Sequence, residues 1–119
     1  MQISVEEYIR EDNSNPFKKW FDSLDSQAAV KVTTAISRME QGNLSNVKWF
    51  DGMGEYVIDW GPGYRIYFAR HGDRLIILFG GGTKKRQQKD IDKATKLHEE
   101  YITRNKAHGT NKRFQKHRR

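Results

Sequence analysis

The chain has 119 residues and no cysteine, so it is long enough for one domain and cannot form disulfides or thiolate metal sites. Its net charge is +7, its mean hydropathy is −0.93, and no apolar run approaches the length of a membrane span. The N-terminus carries acidic residues early and lacks the apolar core of a signal peptide, so we expect a cytoplasmic protein.

The positive charge is concentrated in the second half of the chain. Residues 1–59 carry a net charge of −4, residues 60–104 carry +5 and residues 105–119 carry +6. Such asymmetry indicates a polyanionic partner on one side of the protein, although a basic tail also raises the isoelectric point without any specific partner. We apply the second interpretation to residues 105–119, which we expect to be a flexible tail, and we expect residues 1–104 to form a single domain.

The first half of the chain predicts one strand followed by two helices. Residues 1–9 alternate weakly between apolar and polar, which is typical of a strand at the edge of a sheet. Asn15 followed by Pro16 indicates a helix N-terminus, and Asp25 or Ser26 starts a second helix. Each helix carries an apolar stripe that must cover a sheet, because two short helices cannot bury it alone. The stripes are Phe17, Trp20, Phe21 and Leu24, then Ala28, Val32, Ala35, Ile36 and Met39.

Glycine-containing turns separate three apolar or alternating runs between residues 54 and 83 and predict a three-stranded meander. The turns are Gly61-Pro62-Gly63 and His71-Gly72-Asp73. The run after Arg74 has five consecutive apolar residues, is typical of a strand covered on both faces, and is the predicted centre of the sheet. After Asp90 a weaker stripe predicts a final helix, and the order as a whole predicts an α+β fold with antiparallel strands. That stripe is Ile91, Ala94, Leu97, Tyr101 and Ile102.

The residue pattern does not favour metal-dependent or nucleophilic hydrolysis. The four histidines lack the spacing of metal ligands, and no serine lies in a strained glycine elbow. The GGGTKK segment lacks the spacing of a phosphate-binding P-loop. We therefore expect neither a metal nor a cofactor.

A cluster of cations at the end of the predicted sheet is the main chemical signal. Metal-free RNA cleavage needs little else, because the substrate's own 2′-hydroxyl is the nucleophile, arginine clamps the phosphate and a lysine of lowered pKa transfers a proton. Tyrosines stack on a base or donate a proton. The competing interpretation is a solvated basic surface. The residues concerned are Arg65, Arg70, Lys84, Lys85, Arg86 and Lys89, with Tyr64 and Tyr67.

Four blocks of the sequence resemble the small toxins of the RelE/ParE superfamily, and in particular the HigB-like addiction-module killer proteins. The blocks are NPFKKWFDSLD, ISRMEQGN, VKWFDGMGEYVIDWGPGYRIYF and RLIILFGGGTKKRQQKDIDKA, and they cover most of residues 8–96. The resemblance implies a RelE-like fold, with an antiparallel-rich sheet of about four strands, an N-terminal helical hairpin on one face and a C-terminal helix.

The resemblance also implies a function. The chain would be the toxin of a type II toxin–antitoxin module, monomeric alone and held inactive in a hetero-oligomer by a cognate antitoxin, often of the helix-turn-helix type. RelE- and HigB-like members cleave mRNA on the ribosome without a metal, which inhibits translation and arrests growth. The alternatives are a ParE-like inhibitor of DNA gyrase and a catalytically inactive module that binds RNA or antitoxin.

By position, the resemblance implies a catalytic set of Arg65, Lys84 and Lys85. Arg65 matches the strand arginine that contacts the scissile phosphate, and Lys84 matches a lysine of the subgroup. Lys85 or Arg86 takes the place of a second phosphate-contacting cation. The residues expected to bind RNA are Arg86, Tyr67, Tyr64, Arg70 and Lys89.

Two departures from the subgroup's pattern change the local charge. Thr83 and Lys85 stand where the subgroup has Asp and Ser, which adds positive charge. Val57 stands where it often has Arg, which removes a positive charge. The departures keep RNA binding in the prediction and are the reason why the inactive module is one of the alternatives.

Overall fold

The computed structural model of the chain describes residues 2–108 and 114–116, and for 107–108 and 114–116 it describes the backbone alone. Four residues of the predicted tail, 105–108, continue the last helix. Residues 109–113 and 117–119 lie outside the described residues, so the flexibility of the tail stays a prediction. The elements are β1 (Ser4–Tyr8), α1 (Pro16–Asp22), α2 (Ser26–Glu40), β2 (Val47–Phe50), β3 (Met53–Ile58), β4 (Tyr64–His71), β5 (Leu75–Thr83), a 3₁₀ turn (Lys84–Arg86), α3 (Gln87–His108) and β6 (Phe114–Lys116).

The strands form one mixed sheet in the order β2-β3-β4-β5-β1-β6. β1 runs parallel to β5, and every other neighbouring pair is antiparallel. The α+β class is confirmed, whereas the predicted number of about four strands is wrong, because the described residues form a sheet of six. β2 and β6 have four and three residues, too few for a recognisable alternation. β1 was expected at an edge but lies between β5 and β6.

The two faces of the sheet have separate cores. α1 and α2 cover one face, where Phe17 and Ile36 pack against Ile66 and Leu78. α3 covers the other face with Ala94, Leu97 and Tyr101. The apolar run of β5 contributes to both cores, with Ile76 and Leu78 on one side and Ile77 and Phe79 on the other, so the predicted central strand is confirmed. Ile102 is 39% exposed and lies outside the core, contrary to the predicted stripe.

The predicted N-termini of α1 and α2 are confirmed by their caps. The Asn15 side chain accepts a hydrogen bond of 3.0 Å from the Lys18 N–H, and Asp25 accepts one of 2.9 Å from the Ala28 N–H. Each cap satisfies a backbone donor that the first helical turn leaves without a partner. Asn15 also donates to Glu7 at 2.8 Å, and this bond ties the start of α1 to β1.

A polar clamp joins β1 to α3. The Tyr8 hydroxyl donates to Glu100 at 2.6 Å, and the Arg10 guanidinium donates to the same carboxylate at 2.9 and 3.2 Å. Arg104 donates to the Tyr8 hydroxyl oxygen at 2.9 Å. The hydrogen bond from Arg10 is the main cause that lowers the pKa of Glu100, and burial is the main cause that raises the pKa of Tyr8 to about 12.

The clamp predicts a pH dependence of stability. Because the pKa of Glu100 is lower in the folded state than in the unfolded chain, where it is about 4.3, the clamp stabilises the fold above that value and weakens as the pH falls through the folded pKa. Urea unfolding at pH 5 and pH 3 should therefore show a larger loss of unfolding free energy in the wild type than in Glu100→Gln. The exposed neighbour provides the control, Glu99→Gln, which should behave like the wild type. Equal losses in the wild type and Glu100→Gln would contradict this role.

Candidate functional site

The end of the sheet where β4 begins and β5 ends carries the candidate site. Arg65 on β4 is the register partner of Gly82 on β5, and the 3₁₀ turn that starts at Lys84 follows directly. A side-chain carbon on Gly63, whose φ is +75°, would lie 3.2 Å from Arg65 Nη1 and 3.3 Å from Lys84 Cβ. The structure thus brings the predicted Arg65 and Lys84 together. We call Arg65, Lys84, Lys85 and Arg86 the basic sheet end.

Arg65 is buried, with an exposed fraction of 6%. Its Nη1 donates to the Gly63 carbonyl at 2.8 Å, and its Nε lies 3.4 Å from Glu55 Oε2 without forming a hydrogen bond. In the described part of the chain, Nη2 makes no hydrogen bond. Unlike Nε, it is not one of the buried atoms that lack a hydrogen-bond partner, so it remains accessible. Nη2 is therefore the part of the guanidinium that is left for a ligand.

A buried acidic residue, Glu55, lies beneath the basic sheet end and is the centre of a hydrogen-bonded cluster. It is 3% exposed, and its Oε2 accepts hydrogen bonds from the Tyr67 hydroxyl at 2.9 Å and from Gln87 Nε2 at 2.8 Å. Sequence reasoning missed both Glu55 and Gln87. The sequence offered one signal for Glu55: it is an acidic residue at an inward position of a strand whose other inward residues are apolar. A buried carboxylate of this kind needs a polar partner.

Tyr67, expected to bind RNA, instead belongs to this buried cluster. Its side chain is fully buried in the core beneath α3, and it contacts Glu55 through its hydroxyl. Burial, followed by that hydrogen bond, raises the pKa of Tyr67 above its ordinary value. The phenol therefore stays protonated and acts as a donor, and its ring has no exposed face for a base in this conformation.

The other predicted site residues fall into three groups. Lys84, Lys85, Arg86 and Lys89 are exposed on the 3₁₀ turn and the first turn of α3. Tyr64 is half-buried on the face of the sheet that α1 and α2 cover, and its ring is stacked on Trp60 with 6.2 Å between ring centroids.

Arg70 lies toward the far end of β4, about 17 Å from Arg65 at 3.3–3.4 Å per residue. It is exposed and donates to the Asp73 carbonyl at 3.2 Å. The structure does not bring it to the basic sheet end.

Two further features bear on the chemistry of the described residues. Residues 2–108 and 114–116 contain no group of three His, Asp or Glu side chains placed to hold a metal ion. Within the same ranges, no helix has the length and apolar character needed to cross a membrane.

Comparison with known proteins identifies one related protein. The chain is 38% identical over 86 residues to an uncharacterized protein of Haemophilus influenzae, and the alignment covers 71% of this chain and 87% of that protein. The chain belongs to the same family as this Haemophilus influenzae protein. No family model and no solved structure matches the chain.

Proposed function

We propose that the protein is the cytoplasmic toxin of a type II toxin–antitoxin module and acts as a metal-independent, ribosome-dependent mRNA endonuclease. The observation that carries the proposal is the basic sheet end, where Arg65 and Lys84 lie close together at the start of β4 and the end of β5. The sequence resemblance supports it, and so does an α+β architecture with helices on both faces of the sheet. The proposed fold family is RelE-like.

The proposed chemistry is an intramolecular displacement within the RNA. The 2′-oxygen attacks the adjacent phosphorus, the bond from phosphorus to the 5′-oxygen breaks, and the products are a 2′,3′-cyclic phosphate and a 5′-hydroxyl. Arg65 Nη2 donates to a phosphate oxygen as negative charge develops there. One of Lys84 and Lys85 reacts as the neutral amine and takes the proton of the 2′-hydroxyl, and the other, as the ammonium ion, gives a proton to the leaving 5′-oxygen.

A second candidate is favoured by the burial of Arg65. A guanidinium that is 6% exposed and hydrogen-bonded to a backbone carbonyl is typical of a structural arginine. In this candidate the basic sheet end binds RNA or an acidic antitoxin segment and cleaves nothing.

The test is controlled expression in a bacterial host. The proposal predicts growth arrest, an early fall in protein synthesis by metabolic labelling, and new cuts by primer extension inside a translated message. The cuts should disappear when the start codon of that message is removed, and growth should recover on co-expression of a cognate antitoxin. Early DNA damage with continued protein synthesis would indicate a gyrase inhibitor, and growth arrest without cuts would favour the second candidate.

A further inference from the structure

A groove lies along the part of β5 that β1 leaves uncovered. β1 pairs with β5 from Ser4–Leu75 to Glu7–Leu78, so in the described structure the segment 80–83 has a strand neighbour only on the β4 side. α1 and the start of α3 form the two walls. The cavity has a volume of about 330 Å³, at the lower end of the range for small-molecule sites. We call it the β5-edge groove.

Backbone groups of β5 point into this groove. The Lys84 N–H donates to the Pro62 carbonyl on the β4 side at 3.3 Å, so the N–H of Thr83, one residue earlier, faces away from β4. Successive residues of an antiparallel strand alternate in this direction. The N–H and C=O of Gly81, two residues before Thr83, therefore face the groove.

Glycine at positions 81 and 82 sets the width of the groove. A side-chain carbon on Gly81 would collide with the ring of Trp20, and one on Gly82 would collide with the Asp90 carboxylate. With any other residue at these two positions, the walls of the groove could not lie so close to the β5 backbone. Trp20 is partly exposed and supplies an apolar surface beside the polar edge.

The charges around the groove favour an anion. Lys19 from α1, Arg86 from the 3₁₀ turn and Lys93 from α3 line it, and none of the three forms a salt bridge in the described part of the chain. Asp90 is the single acidic residue of the lining, and its Oδ2 is buried without a hydrogen-bond partner. Burial raises the pKa of Asp90 above its ordinary value, against the lowering effect of Arg86 and Lys93.

We propose that the β5-edge groove binds one nucleotide of single-stranded RNA, with its phosphate at Lys19, Arg86 and Lys93 and its base against Trp20. This inference rests on the proposed function. Because Gly82 pairs with Arg65, β5 lies one strand spacing, about 5 Å, from the strand that carries Arg65, and the groove lies on the far side of β5 at the same level. It holds the nucleotide next to the bond that is cleaved. An acidic peptide strand would also use the Gly81 edge, but three cations around so small a volume match the concentrated charge of a phosphate better.

The experiment is a titration of the full chain with adenosine 5′-monophosphate, followed by amide NMR. The Gly81 and Gly82 signals should shift and saturate, and Lys93→Glu or Lys19→Glu should weaken binding about tenfold or more, since each removes a charge-assisted contact. The control Lys96→Glu changes an exposed lysine of α3 outside the groove and should leave the affinity unchanged. Equal weakening by Lys96→Glu, or equal binding of adenosine without phosphate, would overturn the assignment.

Two further arms separate the alternatives. If a peptide of alternating glutamate and valine shifts the same glycine signals more tightly than the nucleotide, the groove is a site for a protein strand and the proposal is wrong. If the protein cleaves RNA in an Arg65-dependent manner but the nucleotide leaves Gly81 and Gly82 unshifted, the groove assignment alone fails. If the nucleotide binds there and no cleavage occurs, the groove assignment stands and the proposed function fails.

Discussion

Replacing Arg65 with alanine should abolish growth arrest and lower cleavage of a translated message by about 100-fold or more, which is the usual cost of removing one donor to a developing oxyanion. In the proposed chemistry, Nη2 of Arg65 is the group on β4 that reaches the scissile phosphate. The measurements are growth after induction and primer extension at equal levels of toxin. Full toxicity of Arg65→Ala would remove this residue from the chemistry.

The controls for this variant follow from its surroundings. Arg70→Ala removes an exposed arginine from the same strand, about 17 Å away, and should retain full toxicity. Because Arg65 lies beside the buried Glu55, its removal also leaves a carboxylate without a cation. The double variant Glu55→Gln/Arg65→Ala removes that charge, and we expect it to be folded by circular dichroism, to bind antitoxin and to remain inactive. Recovery of activity in the double variant would show that Arg65→Ala had acted through misfolding.

Glu55→Ala should lower the free energy of unfolding by about 3–5 kcal/mol, because it leaves the buried cation of Arg65 uncompensated. It also removes the acceptor of the Tyr67 hydroxyl and of Gln87 Nε2. A loss of this size is a large part of the about 5–15 kcal/mol that stabilises a typical domain. Urea unfolding at neutral pH measures it directly.

Two comparison variants divide the Glu55 effect. Glu55→Gln keeps the shape of the side chain and one acceptor oxygen. The difference in unfolding free energy between the Gln and Ala variants therefore reports the hydrogen bonds. The difference between the wild type and the Gln variant reports the charge beside Arg65. Asp59→Ala removes an exposed carboxylate just after β3 and should change stability by less than about 0.5 kcal/mol. A loss below about 1 kcal/mol for Glu55→Ala would mean that water replaces Glu55 in the cluster, contrary to its burial.

The elements that could be predicted are those that depend on neighbours in the chain. The caps at Asn15 and Asp25 need only a side chain within three residues of the first helical N–H groups. The burial of α2 follows from its 3.6-residue period, and the central position of β5 follows from its continuous apolar run. The proximity of Arg65 and Lys84 follows from the meander of two consecutive strands.

The sequence by itself therefore determined the α+β class, the N-termini of α1 and α2 and the presence of cations at one end of the sheet, whereas α3 begins at Gln87, before the expected Asp90, and extends to His108. The tertiary structure decided which of these cations is buried, because the environment of Arg65 depends on the register of β3 against β4 and on the docking of α3. It also decided that β1 pairs parallel to β5 and that this pairing ends at Leu78 of β5, which leaves the edge of β5 at Gly81 open. Pairings between segments about 70 residues apart in the chain carry no local signature, since they depend on which surfaces meet after the elements have formed.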